Sequence, residues 1–169
     1  MVHHTEVSRQ LKQIGADFRY WGRGEVRELP HVLMDGEIIQ VAVMGRYNGG
    51  FAMLVTTDQR ILLIDKKPLY LTVEDIRYDM VAEVDYHHQL IDATVHICTL
   101  NKELRFTSTR KPNLRLLVNF IQQRVSELRQ HQQMMNNTLQ WPQTAGVNPY
   151  NKAPLIMHRR VSPYDPLRS

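Results

Sequence analysis

Short apolar segments of strand length dominate the middle of the chain, from residue 35 to residue 109. Seven short segments rich in Ile, Val, Leu and Met follow one another there, and short polar turns such as Asn48-Gly49-Gly50 separate them. A turn of this kind between two apolar segments is a strong signal for a β-hairpin. The pattern predicts an antiparallel meander with strands at residues 37–47, 51–56, 60–65, 71–76, 81–88, 93–100 and 103–108.

The apolar spacing changes to three and four residues on both sides of this region. Val7, Leu11 and Ile14, behind the N-cap candidate Thr5, predict a short amphipathic helix over residues 5–14 that packs on its own domain. A second helix, about five turns long, opens at Pro112, where the missing N–H costs nothing. Its predicted core-facing residues are Leu114, Leu117, Val118, Ile121, Val125 and Leu128.

These elements together predict a mainly β fold with added α-helix. A seven-stranded, bent antiparallel sheet forms a half-open barrel, and one amphipathic C-terminal helix closes its apolar mouth. A short N-terminal helix precedes it. Because the strands and the C-terminal helix account for a core, residues 29–130 are expected to fold alone, after an N-terminal helix and aromatic loop at 1–28.

The last part of the sequence, residues 131–169, differs in composition. Five of the eight prolines lie at positions 142, 149, 154, 163 and 166, which predicts an extended or disordered tail. This tail keeps apolar residues without enough neighbours to bury them, flanked by bases, so we expect it to bind a partner. The candidate partner-binding residues are Trp141, Leu155, Ile156, Met157, Arg159 and Arg160.

Composition and charge narrow the possible functions. The chain has 169 residues, 43% apolar, and no apolar run approaches the roughly 20 residues that cross a bilayer. We therefore expect a cytoplasmic protein. The net charge is +4, but four bases and one acid lie after Gln130, so residues 1–130 carry only +1. A nearly neutral body argues against nucleic acid as a partner.

The residues that could carry chemistry do not form a site in the sequence. Cys98 is the only cysteine, which excludes an intrachain disulfide. It shares a predicted strand face with His96, but no orienting group or oxyanion donor accompanies the pair. His87 and His88 point to opposite faces of one strand, so they cannot both bind one metal ion. We expect a non-enzymatic protein without metal or cofactor.

A set of motifs resembles the bacterial pleckstrin-homology (PH-like) domains of the YokE-like type over residues 29–128. The resemblance rests on Leu29-Pro30, Gly36-Glu37, Tyr78-Asp79 and, most specifically, Gly49-Gly50-Phe51 followed by Thr57-Asp58-Gln59-Arg60. It implies the same seven-stranded bent sheet with a C-terminal helix. Two parts depart from the family pattern: the turn at residues 87–92, which lacks the family's glycines, and the Pro-rich tail.

The Thr57-Asp58-Gln59-Arg60 motif is interpreted as a structural turn, because Thr and Asp side chains commonly bond their own backbone there. We expect Arg60 to form a structural ion pair with Asp58 or with Asp79.

The resemblance also raises the question of lipid. PH domains that hold phosphoinositides carry several bases in the loop between the first two strands, and here that loop offers only Arg46. Lys66 and Lys67 lie in the third turn, at the same end of the sheet by parity. These three bases form a candidate site for weak binding of an anion or lipid.

The leading prediction for function is a protein-interaction or self-association module, acting as a homo-oligomer or with a protein partner through exposed sheet edges. The alternative is a peripheral adaptor at the inner membrane face that binds anionic lipid through the basic cluster.

Overall fold

The computed structural model describes residues 2–16, 18 and 22–139. Two short helices, α1 (His4–Gln13) and α2 (Arg23–Val32), precede the sheet. The C-terminal helix is α3 (Lys111–Leu139). The strands are β1 (Ile39–Tyr47), β2 (Gly50–Thr57), β3 (Arg60–Lys66), β4 (Leu71–Arg77), β5 (Val81–His88), β6 (Ala93–Thr99) and β7 (Glu103–Ser108), with a 3₁₀ turn at Tyr78–Met80 between β4 and β5.

The seven strands form one antiparallel sheet in the order β4-β3-β2-β1-β7-β6-β5. All seven predicted strands are present, with ends within two residues of the predicted positions. The two edge strands, β4 and β5, follow each other in sequence, and only the 3₁₀ turn separates them. The sheet is therefore a barrel that stays open between β4 and β5, and the predicted fold class is confirmed.

Strand β1 joins the two halves of the barrel by pairing with both β2 and β7. At this junction a Cβ on Gly45 would lie 2.3 Å from the carbonyl oxygen of Thr107 and 2.6 Å from the Phe106 ring. Glycine is thus the residue that allows β1 to approach β7 so closely.

The inner core fills the barrel between the sheet and α3. Helix α3 packs against β1, β2, β5, β6 and the 3₁₀ turn. Its predicted apolar face is buried from Leu114 to Val125, whereas Leu128 is 37% exposed. The fully buried side chains of this core are Val43, Ala52, Leu54, Ile61, Leu63, Ala93, Val95, Ile97, Leu104, Phe106, Leu114, Leu117 and Ile121.

A second core lies on the outer side of β1, β2 and β3. Helices α1 and α2 cover this face, and their residues Val7, Leu11 and Leu29 are buried against Met53 and Ile64. Strands β2 and β3 are consequently buried on both faces. The predicted N-terminal helix does pack on its own domain, and its contacts mean that residues 29–130 alone lack part of this cover.

Two differences from the sequence prediction concern helices. Helix α2 was not predicted, and it crosses residue 29, where the domain was expected to begin. Helix α3 continues nine residues beyond Gln130, so the prediction of an extended tail is wrong for residues 131–139. These residues are mostly Gln, Met and His, which a helix tolerates, and the first proline of the tail comes later, at Pro142.

Candidate functional site

A buried ion pair connects the start of the sheet to the β2–β3 hairpin. Arg60 donates two parallel hydrogen bonds to Glu37, and both N···O distances are 2.9 Å. Its guanidinium also pairs with Asp75 on β4 and donates to the carbonyl of Val32, at 3.0 Å. Arg60 therefore joins the end of α2, the segment before β1, and strands β3 and β4 at one point.

The Glu37 carboxylate accepts hydrogen bonds from three residues. Burial alone would raise its pKa, but the hydrogen bonds from Arg60, from the Met34 N–H at 2.8 Å and from the Thr57 hydroxyl at 2.7 Å outweigh burial. The pKa of Glu37 is thus held below its ordinary value. This carboxylate remains charged in the folded protein at neutral pH.

The turn at residues 57–60 is structural. The Thr57 hydroxyl accepts hydrogen bonds from the N–H groups of Gln59 and Arg60, at 3.1 and 3.0 Å. The Asp58 carboxylate accepts from the Ile38 N–H at 2.8 Å. The Tyr78 hydroxyl donates to the carbonyl of Thr57 at 2.6 Å. The motif thus fastens the β2–β3 turn to its neighbours, as the sequence interpretation expected.

The partners predicted for Arg60 were wrong. Asp58 bonds the backbone of Ile38, and Asp79 pairs with Arg77 at 2.9 Å. The acids that pair with Arg60 are instead Glu37 and Asp75. Both lie far from Arg60 in sequence, and the sheet register brings β4 beside β3.

The predicted basic cluster lies at one end of the sheet, but two of its members are already paired. Lys66 binds Glu28 of α2 at 2.9 Å, and Lys67 binds Asp65 at 3.1 Å. Arg46 is exposed and shares the outer face of the sheet with Lys66, two strands and about 10 Å away. The cluster can attract an anion only weakly, because acids neutralise both lysines.

Exposed apolar side chains lie at the same end of the barrel. The β3–β4 turn presents Leu69, which is 95% exposed, and the β5–β6 turn presents Leu90 and Ile91, which are 94% and 77% exposed. Tyr70 lies beside Lys67, whose Nζ is 5.3 Å from the ring centre. This set of turn residues, which sequence analysis missed, we call the turn tips.

The two edges of the sheet differ in how they are covered. On β5, Arg129 of α3 donates to the carbonyls of Val81 and Ala82, at 3.2 and 2.8 Å, and Gln122 donates to the carbonyl of Val84 at 3.3 Å. On β4, no second strand of the described residues pairs with the edge that faces away from β3. An incoming strand would find β4 open and β5 occupied by α3 side chains.

The side chains of His96 and Cys98 do not form an activated nucleophile. Burial raises the pKa of the Cys98 thiol, and the nearby carboxylates of Glu103, Glu83 and Asp85 raise it further. His96 bonds Glu103 at 3.1 Å. The thiol is therefore protonated at neutral pH.

His87 and His88 point in different directions. The His87 ring lies 5.4 Å from the His96 ring, whereas His88 lies beside Lys111. Within residues 2–16, 18 and 22–139, no group of three His, Cys, Asp or Glu side chains is placed to hold a metal ion.

The tail residues Trp141, Leu155, Ile156, Met157, Arg159 and Arg160 lie outside the described residues.

Within the described part of the chain, no helix is long and apolar enough to cross a membrane.

An open seven-stranded barrel with a C-terminal helix across its mouth defines a PH-like domain. The model of the bacterial PH domain family matches residues 33–123, which is more than half of the chain, and the protein belongs to this family. No curated protein matches it.

Two solved structures are similar to this chain. The Vps36 N-terminal PH domain is 17% identical, with a TM-score of 0.45 over 57% of this chain and 85% of that one. A DUF1696 family protein with a pleckstrin-homology domain from Shewanella loihica PV-4 is 20% identical, with a TM-score of 0.38 over 61% of this chain and 91% of that one.

Proposed function

We propose that this protein is a non-enzymatic, cytoplasmic interaction module that receives an extended segment at the β4 edge. The supporting observation is the difference between the two edges: α3 side chains cover the β5 carbonyls, whereas β4 is open. An open edge presents a row of backbone N–H and C=O groups to an added strand. Leu71 and Val73, both partly exposed on β4, add apolar contact area for such a strand.

The segment we assign to this edge is residues 155–161 of a second copy of the chain. It contains Leu155, Ile156 and Met157, followed by Arg159 and Arg160, and has the length of a typical strand. Pro154 and Pro163 bracket it and would stop the pairing from spreading further. The partner on this proposal is a protein, and the protein self-associates. On this proposal Trp141, which is closer to α3 in the sequence, supplies a second apolar contact.

The test compares the full chain with two lysine variants. A lysine on an edge strand opposes strand addition, so Val73→Lys should reduce the mass measured by light scattering toward that of the monomer. Ala82→Lys, on the covered β5 edge, is the matched control and should leave the mass unchanged. Deleting residues 140–169 should have the effect of Val73→Lys without lowering the melting temperature.

A wild-type protein that is monomeric at all concentrations, or a tail deletion that still self-associates, would contradict this proposal.

A second candidate is weak binding to an anionic membrane at the inner membrane face. The turn tips favour it, because exposed apolar side chains there accompany Arg46, Lys66 and Lys67 at one end of the barrel. Salt separates the two candidates, since electrostatic attraction to lipid fades as the Debye length shortens and strand addition does not. Vesicle binding that weakens as the salt concentration rises and is lost on replacing Lys66 and Lys67 by alanine would favour the membrane over the strand.

A further inference from the structure

A groove between the two N-terminal helices lies outside the segment that the family model matches. It has a volume of about 580 Å³. Apolar residues from both helices and their connection line it, namely Leu11, Ala16, Phe18 and Val26. Leu11 is buried and the other three are partly buried, and all four belong to or pack against the outer core. The groove therefore has an apolar lining that is continuous with the outer core.

Among the described residues, the charged side chains that line the groove are all basic. Lys12, Arg23 and Arg27 are exposed, and no acid of the described residues lies within 4.0 Å of their charged groups. His4 also lines the groove. The groove thus combines an apolar lining with three bases that pair with no acid among the described residues.

The acids of the two helices are engaged elsewhere. Glu6 pairs with Arg9 at 2.6 Å, and Glu28 pairs with Lys66 at 2.9 Å. Glu25 is buried, and burial raises its pKa. The acids of α1 and α2 therefore do not compete with a ligand for the three bases of the groove.

We propose that this groove binds a small anionic amphiphile, a free single-chain compound with an apolar body and one carboxylate or phosphate. The volume lies in the range of about 300 to 1,000 Å³ that is typical of small-molecule sites. The apolar body lies on Leu11, Phe18 and Val26. The guanidinium groups of Arg23 and Arg27 bind the anionic head, because they match the geometry of two oxygen atoms. This proposal does not depend on the β4 edge.

The experiment titrates octanoate, as monomer, into the full chain and follows backbone amides by NMR and heat by calorimetry. Octanol, which has the same chain without the charge, is the ligand control. Octanoate should shift amides of α1 and α2 and bind more tightly than octanol. Arg23→Gln combined with Arg27→Gln should weaken octanoate binding about tenfold, as expected for two exposed charge pairs.

Two further variants keep the result specific. Arg105→Gln combined with Arg110→Gln removes the same charge from exposed positions elsewhere and should leave the affinity unchanged. Ala16→Phe fills the groove and should abolish binding of octanoate.

Equal affinity for octanol and octanoate, or equal loss in the two double variants, would overturn the proposal. So would binding to phosphatidylglycerol vesicles that requires Arg23 and Arg27 while octanoate does not bind, because the site would then be a membrane surface.

Discussion

Arg60 and Glu37 lie beside the β2–β3 turn and share two hydrogen bonds of 2.9 Å. Glu37 precedes β1, and Arg60 is the first residue of β3. Their pairing holds the segment that leads into β1 against the β2–β3 hairpin. Both cores bury that hairpin. The Thr57 hydroxyl donates to the same carboxylate, so the β2–β3 turn shares this contact.

Replacing Arg60 by methionine leaves the Glu37 carboxylate buried without its main partner. We expect a loss of about 3 to 5 kcal/mol in the free energy of unfolding, the usual cost of breaking a buried pair. Chemical denaturation measures this loss. The control is Arg77→Met, which removes an exposed pair with Asp79 and should cost at most about 1 kcal/mol. Equal losses of free energy in the two variants would show that burial does not make the Arg60 pair more important to stability than an exposed pair.

The same pair predicts a dependence of stability on pH. The pKa of Glu37 is lower in the folded protein than in the unfolded chain. Its contribution is therefore fully present above the unfolded pKa and is lost as the pH falls through the folded pKa. Glu37→Gln should be less stable than wild type at about pH 7, and the difference should shrink toward about pH 3. Denaturation curves across this range measure the difference, and a constant difference would contradict the prediction.

The helix that closes the barrel offers a direct test of the inner core. Ile121 is fully buried, so Ile121→Ala should lower the free energy of unfolding by about 2 to 5 kcal/mol. Leu116 on the same helix is 60% exposed, and Leu116→Ala should change it little. Thermal melts of both variants give the comparison. A loss from Leu116→Ala as large as that from Ile121→Ala would mean that a partner covers the outer face of α3.

Gly45 should not tolerate even alanine. The added Cβ would meet the carbonyl oxygen of Thr107 at 2.3 Å, and backbone atoms of a paired strand cannot move aside cheaply. We expect Gly45→Ala to lower the melting midpoint strongly or to prevent folding. In Gly24→Ala the nearest atom is the flexible Lys66 side chain at 3.3 Å, so this helical control should be neutral or slightly stabilising. The solubility and the melting curves of both variants test this prediction, and a Gly45→Ala protein as stable as Gly24→Ala would contradict it.

Removal of residues 1–28 should expose the outer face of β1, β2 and β3, including Met53, Val55 and Ile64. We expect the shortened protein to have a lower melting midpoint and to aggregate, because a contiguous apolar face becomes accessible. Light scattering and a thermal melt measure these effects. A shortened protein as stable and monomeric as the full chain would show that the outer core adds little.

The sequence predicted the parts of the fold that local pattern determines. The strand limits follow from the apolar segments and from turn residues such as Asn48-Gly49, and the buried face of α3 follows from its three-and-four spacing. Helix α2 escaped prediction because Gly24 and Pro30 are poor helix formers, and its burial against β3 supplies what intrinsic propensity lacks.

The pairing of Arg60 with Glu37 needed the three-dimensional structure, since neither register nor burial of distant residues can be read from spacing. The same holds for the groove. Its basic residues come from separate helices, and no motif links Lys12 to Arg27 in the sequence.

The burial of β2 and β3 between two cores also determines how the molecule fluctuates. Their amide hydrogens should exchange with solvent only through global unfolding, whereas those of the edge strand β4 can exchange through local opening. Local opening of β4 therefore costs less free energy than the global unfolding that exposes β2 and β3. A strand that docks on β4 could slow hydrogen exchange there while leaving the slowest amides of the protein unchanged.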